Sequence, residues 1–309
     1  MVCKLLSPLI INISKPYITL FLKSDLKKLH TKVSVKEIQI PLKCGHVAGK
    51  LWGNEHEQPI LALHGWRDNA DTWDTLAPLL CNVRPILAID FLGHGQSSWI
   101  PEGMQYHSWD LPLLILQIKK YFKWEKISLL GHSKGAVAST RFACVFPDDV
   151  DFYIAIENLV VDDLNLEKIM YKLPKLLKNV DEIKKQPPLY TMEEMIKMWH
   201  LASSESVWIE SVPHLVNRTV RASKVPNYYY FTNDPRLKYL IHSVESKHFV
   251  EKLITQLKCP TLYIKGINST YNVDEHTVAM RELIAKNNSN LECHFLPGTH
   301  HLHLNNPKS

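Results

Sequence analysis

Residues 126–139, KISLLGHSKGAVAS, restrict what this chain can fold into more than any other stretch. An apolar run leads straight into Gly131, Ser133 and Gly135, and small residues suited to a closely packed helix follow. The order is strand, sharp turn, helix, with a serine at the apex of the turn. Such a turn forces the serine into a strained backbone conformation, and side chains at 131 or 135 would collide with the neighbouring strand and helix. Ser133 is therefore a candidate nucleophile. A G-x-S-x-G pattern also arises by chance in a chain with 11 glycines among 309 residues, so the surrounding segments have to decide.

A chain of 309 residues that is 45% hydrophobic has material for one large α/β core with an inserted subdomain. Its 36 Lys and Arg against 31 acids give a net charge of +5, spread along the chain, which argues against nucleic acid as a partner. The basic excess at 172–185 reads as a solvated helix face. Six cysteines (Cys3, Cys44, Cys81, Cys144, Cys259, Cys293) stand far apart with no C-x-x-C pair, as free thiols of a reducing compartment do. The expected location is intracellular and cytoplasmic. Residues 1–32 read as an amphipathic extension, because Lys15 and Pro16 break their apolar run too early for a stable membrane span. The lack of acids before Asp25 leaves organelle targeting open. Nothing in the composition sets the oligomeric state.

Partial alternation over 33–42 and again over 46–52 predicts an antiparallel hairpin. The continuous apolar run PILALHG, 59–65, predicts a strand buried on both faces and the start of a parallel sheet. A helix is expected over 71–80, then a strand over 86–90. Asp110 should cap the helix that leads to the serine strand. Strands over 152–156, 261–265 and 291–296 and a helix over 278–286 continue the alternation. The sum is an α/β fold with a mostly parallel sheet of about eight strands. Residues 163–240 break the pattern with Lys, Leu, Met, Trp and Tyr at helical spacing, for example Met192, Met195, Ile196 and Trp199. They are read as a helical lid inserted between two parts of the core, 33–162 and 241–309.

Taken together, LALHGWRDNADTWDTLAPLL (61–80), IDFLGHGQSS (89–98), LLGHSKGA (129–136), NDPRL (233–237) and PGTHHLHLNNP (297–307) resemble the α/β-hydrolase superfamily. Within it the sequence is most similar to serine hydrolase-like proteins of the kraken type. A serine hydroxyl is a poor nucleophile at neutral pH, so a histidine must take its proton and an acid must orient that histidine. The resemblance implies His300 as the base, with His301 as the alternative. It implies an oxyanion hole from the backbone N–H groups of Trp66 and Lys134, and a substrate-facing turn at His64, Gly65 and Trp66. Where relatives carry an apolar residue or Gln after the nucleophile, this chain has Lys134, which alters the polarity of the pocket. The acid is displaced: the family's G-x-x-D reads Gly266, Ile267, Asn268, Ser269 here. Glu157, at the end of YIAIENLVV, is preferred for its strand-end position, and Asp274 is the alternative.

The expected function is a cofactor-independent serine hydrolase cleaving carboxylic ester or thioester bonds of a small-molecule substrate through an acyl-enzyme. The contrasting reading is a binding protein that keeps the fold with weakened catalysis, prompted by the displaced acid and by an ending at Ser309 without the terminal helix the resemblance implies. No metal site is expected. His294, His300, His301 and His303 cluster in the sequence, but there is no H-E-x-x-H helix and no obvious carboxylate to complete a ligand set.

Overall fold

In the computed structural model, which describes residues 33–160, 166–179, 186–239, 245–271 and 273–308, one eight-stranded sheet organises the chain. The hairpin β1 (Val35–Leu42) and β2 (Gly45–Trp52) opens it, followed by β3 (Ile60–Leu63), β4 (Ile86–Ile89), β5 (Ile127–His132) and β6 (Val150–Ile156). After the insertion, which carries the short strands β7 (Val220–Ala222) and β8 (Tyr229–Phe231), come β9 (Thr261–Gly266) and β10 (Leu291–Leu296). The spatial order is β1-β2-β4-β3-β5-β6-β9-β10; β1 and β2 pair antiparallel, as do β2 and β4, and all later pairings are parallel. The extension over 1–32 lies outside the described residues.

Both faces of the sheet are dry, which explains why its central strands carry no polar alternation. Leu61, Leu63, Leu87 and Ile89 enter the core on one face, while Ile60, Ala62, Ile86 and Ala88 enter the core on the other. Side chains alternate across a pleated strand, so a strand covered twice must be apolar at every position. Helices α2 (Asp110–Tyr121) and α3 (Lys134–Val145) contribute to the first core, and Trp73 and α1 (Ala77–Leu80) to the second.

The local expectations need three corrections. A single helix over 71–80 does not form: a 3-10 turn, Ala70–Trp73, is followed by the short α1. Asn69 caps the turn through Asp71 N–H, and the Lys50 ammonium ties Asp71 to Asp74, so side-chain bonds replace a continuous helical ladder here. Asp110 is the first residue of α2 and not its cap; its carboxylate accepts the His107 N–H at 2.6 Å. The insertion is not wholly helical. It contains α4 (Leu166–Asn179), α5 (Met192–Ala202), α6 (Val212–Thr219) and the antiparallel ribbon β7–β8.

The insertion is fastened to the core by polar bonds as well as apolar packing. Leu304, in the last helical turn of the chain, joins Met195, Val207, Val212, Leu215 and Val216 in one buried cluster. Arg218 in α6 is 2% exposed and donates Nε to Asp90, 0% exposed, at 2.6 Å. Asp90 stands at the end of β4 and also accepts the N–H groups of Ala70 and Gln96. Edge strand β10 is less covered, with Phe295 half exposed beneath the Arg281 guanidinium. Among the described residues no helix is long and apolar enough to cross a membrane, and Cys44, Cys81, Cys144, Cys259 and Cys293 are free thiols.

Removing one partner of a buried ion pair strands the other charge without solvent, which costs about 3–5 kcal/mol, whereas an exposed pair is worth at most about 1 kcal/mol. Urea unfolding should therefore show Arg218→Ala losing several kcal/mol and Glu37→Gln, at the exposed side of the same guanidinium, losing about 1 kcal/mol or less. Equal losses would show that Asp90 does not depend on Arg218.

Candidate active site

Ser133 sits between β5 and α3 with φ 50° and ψ −113°, a backbone conformation that L-residues avoid and that costs of order 1–3 kcal/mol. The fold holds it there. Its N–H donates to the Ile156 carbonyl at 3.0 Å and its carbonyl accepts the Val137 N–H at 3.1 Å. The flanking glycines serve close approach: a Cβ at Gly135 would stand 2.2 Å from the Leu63 carbonyl oxygen on β3, and one at Gly131 would stand 2.6 Å from Ala136 Cα. These are the strand and helix collisions foreseen for those positions.

His300 lies in the loop after β10, and its Nδ1 donates to Glu157 Oε2 at 2.8 Å. Glu157 follows β6, with φ 73°, and its N–H is held by the Ile264 carbonyl at 2.7 Å. Three more donors converge on this wholly buried carboxylate. Lys265 Nζ meets Oε2 at 2.8 Å, Ser269 Oγ meets Oε2 at 2.6 Å, and the Gly266 N–H meets Oε1 at 2.5 Å. Burial alone would raise the Glu157 carboxyl, but the bond to His300 and the charge of Lys265 overturn this and hold it down at about 2. Burial pushes His300 down to about 3 against the pull of Glu157, so the ring is neutral at neutral pH. With Nδ1–H given to the carboxylate, Nε2 carries the lone pair.

The alternatives considered for base and acid are engaged elsewhere. Asp274 caps α7 (Glu275–Asn287) by accepting the Thr277 N–H at 2.8 Å. His301 bonds Ser206 Oγ through Nδ1 at 2.8 Å and faces Asp68 through Nε2 at 3.3 Å. His303 meets Thr72 Oγ1, and His294 pairs with Glu292 on β10.

Trp66, in the turn after β3, and Lys134, after β5, are placed differently from His64. Lys134 is the first residue of α3, where the N–H groups of a helix have no intrahelical acceptor. Its Nζ reaches back to Ser108 Oγ at 3.5 Å. Among the described residues no protein acceptor takes the Trp66 N–H, and the indole is part-buried against Ile100, Tyr106 and Leu237. His64, expected to face substrate, is instead 0% exposed. Its Nδ1 donates to the Gly65 carbonyl at 2.6 Å and its Nε2 accepts the Phe91 N–H at 3.0 Å, so both nitrogens are spent on backbone. Burial, with repulsion from His94, lowers it to about 3 and keeps the ring neutral, as this bonding requires. His64 shapes the turn; Gly65 is buried beneath it.

Sequence reasoning missed Lys265, Tyr271 and the role of Ser269. Tyr271 lies beside the imidazole, ring centroids 4.2 Å apart, and its carbonyl accepts Lys265 Nζ at 2.6 Å. A lysine inside the apolar strand TLYIK was a signal, since a buried ammonium needs a carboxylate. Ser269, at the position where relatives were expected to carry their acid, donates to the acid that arrives from β6.

The chain is 34% identical over 280 residues to a probable serine hydrolase of Drosophila melanogaster, covering 89% of this chain and 85% of that protein. It is 28% identical over 288 residues to a serine hydrolase-like protein of Mus musculus, covering 88% and 92%. Among solved structures, a hypothetical protein of Pseudomonas aeruginosa superposes with TM-score 0.76 at 30% identity, covering 88% of this chain and 94% of that one. A thioesterase domain from the curacin biosynthetic pathway shares the fold with TM-score 0.74 at 20% identity, covering 88% and 96%. The family model for the alpha/beta hydrolase fold matches residues 58–307, which takes in every strand from β3 to the His300 loop, and the chain belongs to that family.

Proposed function

We propose that the protein is a serine hydrolase that cleaves carboxylic esters or thioesters through an acyl-enzyme on Ser133. The observation that carries this reading is the 2.8 Å bond from His300 Nδ1 to an ionised, buried Glu157, which follows β6, the strand paired with the one that ends at the strained serine. His300 Nε2 takes the Ser133 proton as the hydroxyl attacks the carbonyl, and Glu157 stabilises the imidazolium that forms. The Trp66 and Lys134 N–H groups receive the oxyanion. The imidazolium then protonates the leaving group, and the neutral ring activates water for deacylation. The inserted segment over 163–240 acts as a lid, consistent with the Thr299 hydroxyl donating to the Ser206 carbonyl at 2.6 Å beside the base.

One observation favours the contrasting reading of a binding protein. Among the described residues no hydrogen bond joins Ser133 Oγ to His300. Catalytic hydrogen bonds are often long before substrate binds, so this does not outweigh the assembled pair.

A fluorophosphonate probe should label the folded protein and fail to label Ser133→Ala; equal labelling removes Ser133 from the mechanism, and no labelling of the parent favours a binding protein. With short-chain nitrophenyl esters, Glu157→Gln should lower kcat roughly 10²–10⁴-fold, because an amide cannot stabilise imidazolium. Asp274→Asn should stay within about twofold, since Asn also caps helices.

Acid stability tests the same carboxylate without substrate. A carboxyl lowered from 4.5 to about 2 on folding contributes roughly 3 kcal/mol. The contribution is complete above the unfolded value of 4.5 and is lost as pH falls through about 2. Urea unfolding between these limits should show the parent losing stability more steeply than Glu157→Gln; parallel curves would mean that the carboxylate titrates normally.

A further inference from the structure

Three side chains that this mechanism does not use meet beside it. Asp68 comes from the turn after β3, His132 from the last position of β5 and His301 from the loop after β10. They are 4%, 0% and 7% exposed. Asp68 Oδ2 lies 3.3 Å from His301 Nε2 and 3.6 Å from His132 Nδ1, and ligand atoms of all three lie within 4.8 Å of one another.

The surrounding hydrogen bonds determine where the ring protons sit. His132 Nε2 is 2.8 Å from the His300 carbonyl oxygen, which only accepts, so the neutral ring carries its proton there and leaves Nδ1 bare. His301 Nδ1 is 2.8 Å from Ser206 Oγ, whose single proton goes to the Ser203 carbonyl at 2.7 Å. His301 therefore donates from Nδ1, and in the neutral tautomer its Nε2, 3.3 Å from Asp68 Oδ2, offers a lone pair. Two imidazole lone pairs and a carboxylate thus face one another away from water, and His132 Nδ1 has no hydrogen-bond partner among the described residues. Converging buried acceptors repel unless a cation lies among them. Gly65 leaves the approach open, since a Cβ there would stand 2.9 Å from both Asp68 Oδ2 and His132 Nδ1.

The two separations from Asp68, 3.3 and 3.6 Å, have the scale of a coordination shell. Ligands bound at 2.0–2.1 Å around a tetrahedral ion lie roughly 3.3–3.5 Å apart. Each imidazole also donates its second nitrogen to an oxygen, the arrangement that orients metal-binding histidines. Two neutral imidazoles and one carboxylate suit Zn²⁺ and its transition-metal neighbours and do not suit Mg²⁺ or Ca²⁺. The missing carboxylate, which had argued against metal in the sequence, is supplied by a residue more than two hundred positions away.

We propose that Asp68, His132 and His301 bind a divalent, imidazole-preferring transition-metal ion of the Zn²⁺ type. Binding stands independently of the hydrolase mechanism; its effect on turnover rests on that mechanism. The His300 ring centroid lies 4.9 Å from that of His132 and 5.3 Å from that of His301, so the ion would sit beside the base. The ion would also tie together the segments that carry the Trp66 N–H, Ser133 and His300, and the occupied protein turns substrate over more slowly.

Chelator-stripped full-length protein, carrying Cys44→Ser and Cys293→Ser to remove exposed thiols, is titrated calorimetrically with ZnCl₂ and with MgCl₂. One Zn²⁺ per chain and no Mg²⁺ are expected. His301→Gln should weaken Zn²⁺ at least 100-fold, and Ser206→Ala, which keeps all three ligands but removes the acceptor for His301, should weaken it roughly 10–100-fold. Circular dichroism and thermal unfolding of the stripped variants check folding; if His301→Gln does not fold, Ser206→Ala decides. Absence of stoichiometric Zn²⁺ binding overturns the site and leaves a shared proton between the acceptors. Affinity unchanged by both substitutions overturns it by placing the ion elsewhere. Zn²⁺ that binds with the expected pattern yet leaves ester turnover unchanged overturns the inhibitory effect, whereas failure of probe labelling at Ser133 would count against the hydrolase reading and leave the metal site intact.

Discussion

A carboxylate without water must find its donors in the protein, and Glu157 finds them on two segments remote from it in sequence. His300, Lys265, Ser269 and the Gly266 N–H all end on its two oxygens. The cluster joins the end of β6 to the end of β9 and to the loop after β10, so the placement of His300 depends on an electrostatic condition as much as on packing. Gly266 is part of that condition, because a Cβ there would meet the Gly298 carbonyl oxygen at 2.6 Å and push the His300 loop away.

The same economy recurs at Asp90 and Arg218. A charge at the end of β4 is satisfied by a guanidinium from the insertion and by backbone N–H groups of the adjoining loops. Glu157 and Asp90 both sit at strand ends, where loops turn over the sheet and bring their donors. The central strands β3 and β4 remain apolar on both faces. Stability is concentrated in the sheet, and the polar contacts decide which loops meet above it.

Seen this way, the two histidine environments around Ser133 differ in kind. His300 has an acceptor for one nitrogen and an open lone pair on the other, the arrangement a proton carrier needs. His132 and His301 spend their protons on neighbouring oxygens and turn their lone pairs toward Asp68. Proton transfer and cation binding are distinct capacities of the same side chain, selected here by which nitrogen is already committed.

What the sequence by itself determined was local: the doubly buried strands, the strained serine between Gly131 and Gly135, and the order of segments that marks the family. Those features depend on spacing within a few residues, through strand alternation and turn sterics. The break in the 71–80 helix escaped notice because Lys50, twenty residues earlier, captures its acids. His64 was misplaced as a substrate-facing residue because its two backbone partners cannot be read from composition. Only the tertiary structure decided which carboxylate His300 meets, why Ser269 stands where an acid was expected, and that Asp68 faces His132 and His301. Each of these depends on contacts between chain segments brought together by sheet order, and the sequence of a single segment carries no record of its neighbours in space.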